Sequence, residues 1–204
     1  MSTTINEYLE KIKDAAKSIP QHRQVILKNV INYVVKKQAK CGLIFVCTHN
    51  SRRSQMAQSW SFIISRNFGL HEVRSFSAGT EVTAFNERAL EALSRAGVLL
   101  EQVSEGENPQ YRIHSSDDAR TLLTYSKLIE DQINPVANFA TIMTCSTADD
   151  NCPVIAEADE RISLRYSDPK ADDDTPEEEK SYDERCFQIA SELYYVYSEV
   201  KKQL

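Results

Sequence analysis

The period of the apolar positions changes near residue 41. Ile5, Tyr8, Leu9, Ile12 and Ala15-Ala16 recur at helical spacing, and Ser18-Ile19-Pro20 interrupts them. A second stripe of Val25, Ile26, Val30, Ile31 and Val34 predicts a helix over 21–37. Residues 1–40 therefore read as an N-terminal helical extension, a hairpin suited to packing or to a homodimer contact. From 41 onward strands alternate with helices. Gly42-Leu43-Ile44-Phe45-Val46 predicts a buried strand over 42–47, and Met56, Trp60, Ile63, Ile64 and Phe68 predict a helix over 54–68. A strand over 72–77 and a helix over 84–97, closed by Gly97, follow. Residues 101–138 read as an insert with short strands at Tyr111-Arg112-Ile113-His114 and Thr121-Leu122-Leu123-Thr124-Tyr125. Phe139-Ala140-Thr141-Ile142-Met143 and Arg161-Ile162-Ser163-Leu164 supply the remaining core strands. Tyr182, Cys186, Ile189, Ala190, Leu193 and Val196 mark a closing helix to about 201. The expected fold is α/β, a parallel four-stranded sheet with helices on both faces, in one catalytic domain over 41–204.

Composition narrows the function classes. A chain of 204 residues with 41% hydrophobic and 26% charged residues is ordinary for a globular protein. Its net charge of −6 gives no basis for nucleic-acid or anionic-membrane binding. No apolar run approaches the roughly 20 residues of a membrane span, and the first residues lack a signal-peptide pattern. The expected location is cytoplasmic, where five cysteines stay largely reduced and serve catalysis more than stapling.

The chemistry concentrates in Cys47-Thr48-His49-Asn50-Ser51-Arg52-Arg53-Ser54. A cysteine between a strand and a helix N-terminus faces unpaired backbone N–H groups and the positive end of the helix dipole. Such a loop, residues 48–53, binds a tetrahedral oxyanion and favours a reactive thiolate. The Arg53 fork can grip two of the anion's oxygens. Ser54 can donate to the Cys47 sulfur, Asn50 suits a left-handed turn, and His49 reads as an exposed loop residue. A leaving oxygen needs an acid, and Asp168, before Pro169 and just after the last strand, lies on the same sheet edge. Cys145 and Cys152 in Cys145-Ser146-Thr147-Ala148-Asp149-Asp150-Asn151-Cys152-Pro153 follow a core strand on that edge too. In a polar loop they suggest a redox relay, with zinc disfavoured because no second ligand pair stands at the right spacing. Cys186, on an apolar stripe, reads as core.

These pieces resemble the low-molecular-weight protein tyrosine phosphatase superfamily, whose members share the Cys-x5-Arg-Ser loop and the late Asp-Pro. Within it, Cys-Thr-x-Asn-Ser-x-Arg-Ser-Gln-Met-Ala over 47–57 and the Cys145–Cys152 wording are similar to thioredoxin-coupled arsenate reductases. Arg52 stands where both subfamilies commonly carry a cysteine. The resemblance implies that Cys47 attacks arsenate held by the loop amides and Arg53, that Asp168 protonates the departing oxygen, and that Cys145 and Cys152 pass the oxidation on to thioredoxin. No metal and no tightly bound cofactor are implied. A phosphatase hydrolysing phosphotyrosine through a phosphocysteine is the alternative, and a non-catalytic anion- or protein-binding module built around the N-terminal hairpin is a third.

Overall fold

The computed structural model describes residues 4–115, 120–151 and 155–204. Helices α1 (Ile5–Ala16) and α2 (Gln21–Lys36) are present as expected, and the two arms of this hairpin pack mainly on the closing helix (Glu178–Gln203) and little on each other. Thr4 and Glu7 open α1 with a reciprocal capping box. The buried face of α2 is Leu27, Val30, Ile31, Tyr33 and Val34, and Val25 points outward at 63% exposed, against the expected stripe. Spacing alone allowed either phase; the packed one centres on 27, 30, 31 and 34.

Strand β1 (Gly42–Cys47), α3 (Arg53–Asn67), β2 (Arg74–Gly79) and α4 (Glu87–Arg95) follow. Helix α4 starts later than expected because Asn86 caps it, its side chain accepting from the Ala89 N–H. Strands β3 (Leu100–Gln102), β4 (Tyr111–His114) and β5 (Thr121–Thr124) form a separate antiparallel sheet in that spatial order. Then come β6 (Phe139–Met143), α5 (Ser146–Asn151), β7 (Glu160–Ser163) and, after a 3-10 turn at Pro169–Asp172, α6 (Glu178–Gln203).

The main sheet is parallel throughout, ordered β2-β1-β6-β7. Strand alternation divides its side chains between two cores. Leu43, Phe45, Ala140 and Ile142 face α3 and α6, around which α1, α2 and α4 pack. Ile44, Val46, Phe139 and Met143 face α5 and the segments carrying Ile129, Ile155 and Ala158. The hairpin belongs to the first core. Tyr8 stacks on Trp60 of α3 at 5.2 Å and meets Phe187 of α6 edge-on, and the Tyr33 hydroxyl donates to Asp159. Among the described residues no helix is long and apolar enough to cross a membrane.

Connection 125–138 carries a buried cation. Lys127 is 2% exposed, its ammonium 3.5 Å from the Ser77 hydroxyl, 3.4 Å from the Tyr125 carbonyl and 4.9 Å from the Tyr125 ring centroid. Burial pushes its pKa down to about 8, with the Asp131 charge pulling the other way. Between about 8 and the free-lysine value of about 10.4, the unfolded chain binds a proton that the folded one has released. Folding stability therefore rises with pH across that window. We expect the difference in unfolding midpoint between Lys127→Met and the wild type to move in favour of the wild type as the pH is raised from about 7 to about 10. A difference that stays flat would show that Lys127 keeps its proton.

Candidate active site

Cys47 ends β1 and Arg53 begins α3, so the loop 48–52 lies at the C-terminal edge of the parallel sheet. Asn50 takes the left-handed conformation at φ 45° and is wholly buried. Its Nδ2 donates to Ser54 Oγ at 2.9 Å, and Ser54 Oγ lies 3.0 Å from Cys47 Sγ. With a lone pair of the hydroxyl taken by the amide, its proton is left for the sulfur.

The loop's carbonyls are held from outside. Thr48 O accepts from the Thr80 and Glu81 N–H groups, and Ser51 O from the Asn86 N–H. His49 O accepts from the hydroxyls of Ser126 and Thr83, and Asn50 O from Gln55 Nε2. A trans peptide places each N–H opposite the preceding carbonyl. Turning the carbonyls of 48–51 outward therefore turns the amides of 49–52 into the hollow beside Cys47. Helix α3 adds its own N-terminus, which has no side-chain cap and no acid in its first turn. Gly79 backs this turn closely: a Cβ there would lie 2.6 Å from Thr48 O and 2.7 Å from Asn50 N.

Two arginines and one carboxylate close the hollow. Arg53 Nη2 reaches Asp168 Oδ2 at 2.5 Å and Nη1 the Tyr166 carbonyl at 3.0 Å, while Arg52 Nε reaches Asp168 Oδ1 at 3.2 Å. Arg53 Nε is buried with no hydrogen-bond partner among the described residues. The cavity lined by Cys47, Thr48, His49, Ser51, Arg52, Arg53 and Asp168 is only about 10 Å³, room for about one water.

The structure thus gathers Cys47, Asn50, Arg52, Arg53, Ser54 and Asp168. Thr48 and Ser51 serve through the backbone: Thr48 Oγ1 faces Cys145 and Ser51 Oγ donates to the Ala84 carbonyl. His49 points away from the sulfur to Glu81, 3.3 Å from its carboxylate. Cys145 is buried, 3.6 Å from Thr48 Oγ1, in one apolar cluster with Cys47. The segment after it is not the irregular loop expected. Ser146–Asn151 is helical, and the Ala148 N–H donates to Cys145 Sγ. Small polar residues opening a short helix give no apolar period to read. Cys152 lies outside the described residues. Cys41 and Cys186 are pushed up to about 12 by burial and remain inert thiols. Gln55, Thr124, Ser126 and Lys127 support the loop without having been singled out. The Ser126 hydroxyl holds His49 O and the Lys127 N–H holds Asn50 Oδ1 at 2.9 Å. Nothing in their spacing marks them, since the contact joins segments 77 residues apart.

Comparison with known proteins follows the same line. The family model for low molecular weight phosphotyrosine protein phosphatase matches residues 42–117. Arsenate reductase 2 of Staphylococcus saprophyticus is 30% identical over 130 residues, which are 64% of this chain and 79% of that protein. The arsenate reductase of Bacillus licheniformis is 29% identical over 148 residues, 72% of this chain and 87% of its own. Among solved structures, a low molecular weight phosphotyrosine phosphatase from Vibrio cholerae O395 superposes with a TM-score of 0.51 at 17% identity, covering 78% of this chain and 95% of that one. An arginine phosphatase from Geobacillus stearothermophilus does so with a TM-score of 0.50 at 14% identity, covering 79% and 94%. These two share the fold. The chain belongs to the low-molecular-weight phosphotyrosine protein phosphatase superfamily, close to its arsenate reductases.

Proposed function

We propose that this protein reduces arsenate to arsenite, with Cys47 as nucleophile and Cys145 as the thiol that completes the reduction. The observation that carries the reading is the placement of two cysteines at adjacent strand ends. Val46 of β1 pairs with Met143 of β6, and each cysteine follows within two residues. Neighbouring strands run about 4.8 Å apart, within the span a disulfide needs.

Arsenate enters as Asp168 releases the two guanidiniums, and its oxygens take up Arg53 Nε and the amides of the loop. Cys47 thiolate attacks arsenic while Asp168, which takes up a proton from solvent once it has left the guanidiniums, passes it to the departing oxygen, which leaves as water. Cys145 thiolate then attacks the Cys47 sulfur. The sulfur–arsenic electron pair falls back on arsenic, so arsenic(V) becomes arsenite and a Cys47–Cys145 disulfide forms. Cys152 is assigned the next exchange, freeing Cys47 and leaving a Cys145–Cys152 bond for thioredoxin to reduce. A second reading, hydrolysis of phosphotyrosine through a phosphocysteine, draws on the same Cys47, Arg53 and Asp168 and consumes no electrons.

Cys145→Ser is expected to stop thioredoxin-dependent multiple turnover with arsenate while leaving much of any aryl-phosphatase activity. If the wild type with thioredoxin, its reductase and NADPH oxidises no NADPH on adding arsenate, yet hydrolyses phosphotyrosine efficiently, the phosphatase reading replaces the reductase. Asp168→Asn keeps the shape and loses the proton, so turnover falls by roughly 10²–10⁴-fold. The same change removes the carboxylate charge that bridges Arg52 and Arg53, so inorganic phosphate binds no more weakly than to the wild type. Near-normal turnover in that variant would remove Asp168 from the mechanism.

A further inference from the structure

The hairpin reaches the active site through one side chain. Arg23, in the first turn of α2, precedes the start of the family match at residue 42. Its Nε and Nη2 donate to the two oxygens of Glu192 on α6 at 2.8 and 2.6 Å. Glu192 is 3% exposed and also accepts from Gln188 Nε2. This is a bidentate pair whose fork geometry a lysine cannot copy. The third donor, Nη1, goes to the Arg165 carbonyl at 3.1 Å, and the guanidinium lies 5.1 Å from the centroid of the Tyr166 ring. Beyond β7, the Leu164 and Tyr166 N–H groups still bond back to Met143 O and Thr144 O. The Tyr166 carbonyl then receives Arg53 Nη1, and Asp168 follows two residues later.

Residues 165–168 therefore form a strap held on one side by Arg23 and on the other by the anion-gripping Arg53. We propose that Arg23 is a positioning residue for oxyanion capture and turnover, which makes the N-terminal hairpin part of the active-site apparatus. The inference rests on the reading of Arg53 and Cys47 as the anion site, and does not require that the anion be arsenate. Loss of the Arg23 fork frees the Tyr166 carbonyl to shift, and Arg53 and Asp168 shift with it. A displacement of about 1 Å at such a site can cost on the order of a hundredfold in rate.

The test uses the full chain, with Arg23→Lys and Arg23→Ala checked for native circular dichroism; if the alanine variant does not fold, the lysine variant carries the test. The rate at which iodoacetamide alkylates Cys47 is measured against inorganic phosphate as protectant, beside kcat and KM for arsenate. The expected result is that half-protection needs about tenfold more phosphate, and that kcat/KM falls about tenfold or more. In an Arg53→Lys background the Arg23 substitution should weaken phosphate protection much less than in the wild type, because its effect on anion capture runs through that guanidinium. Wild-type protection and turnover with only a lowered unfolding midpoint would overturn the proposal, as would full additivity in the Arg53→Lys background. A wild type that reduces no arsenate, but whose phosphate protection depends on Arg23, would retire the reductase reading and leave this inference standing.

Discussion

A loop presents its amide donors inward only when its carbonyls are satisfied somewhere else. Buried backbone polar groups rarely go unpaired, so the concave face of residues 48–52 is built by whatever holds the convex one. Here those holders are the 80–86 segment, the Ser126 hydroxyl and Gln55 of α3. The close approach of Gly79 follows from the same requirement: β2 must run directly behind the loop for Thr80 and Glu81 to reach Thr48. An oxyanion cradle of eight residues in sequence is thus the inner lining of a much larger assembly.

Strong periodicity made most of the scaffold legible before any coordinates. Strand β1, helix α3, strand β6 and helix α6 have long apolar runs or stripes, and their order dictates the parallel sheet. Cys47, Arg53 and Asp168 were legible because each sits where a strand or helix end converges on one sheet edge. What escaped reading was short or non-local. β3 is three residues long, and α5 opens on Ser146-Thr147, which cap well but show no stripe. The phase of α2 depended on which neighbour it would meet, and α6 selected the face without Val25. Lys127 and Ser126 join the loop across a large sequence separation, for which no local pattern exists. The pairing of Asp168 with both Arg52 and Arg53 was likewise invisible, since it depends on how far the strap after β7 reaches.

The hairpin and the catalytic domain share one apolar core through α6, which meets α1, α2, α3 and α4. Helix α6 therefore transmits position between parts distant in sequence. Tyr8 against Trp60 fixes the hairpin to α3, directly behind the anion loop, while Arg23 and Glu192 fix it to the strap that carries the acid. Both halves of the proposed site are thus steadied from the same side of the sheet. Cys47 and Cys145 lie in the other, smaller core, covered by a six-residue helix and irregular segments. Thinner covering suits the proposed reduction, in which the Cys145 sulfur moves to meet Cys47.

The paired guanidiniums of Arg52 and Arg53 also alter how an anion approaches a chain of net charge −6. Fields in physiological salt fade over about 8 Å, so scattered surface carboxylates do little to repel an ion at the mouth of the site. Two guanidiniums, which Asp168 only half offsets, and a helix end act at contact distance, where screening is weakest. The chain can thus stay acidic overall, which favours solubility, while a few cubic ångströms of its surface remain attractive to a multiply charged anion.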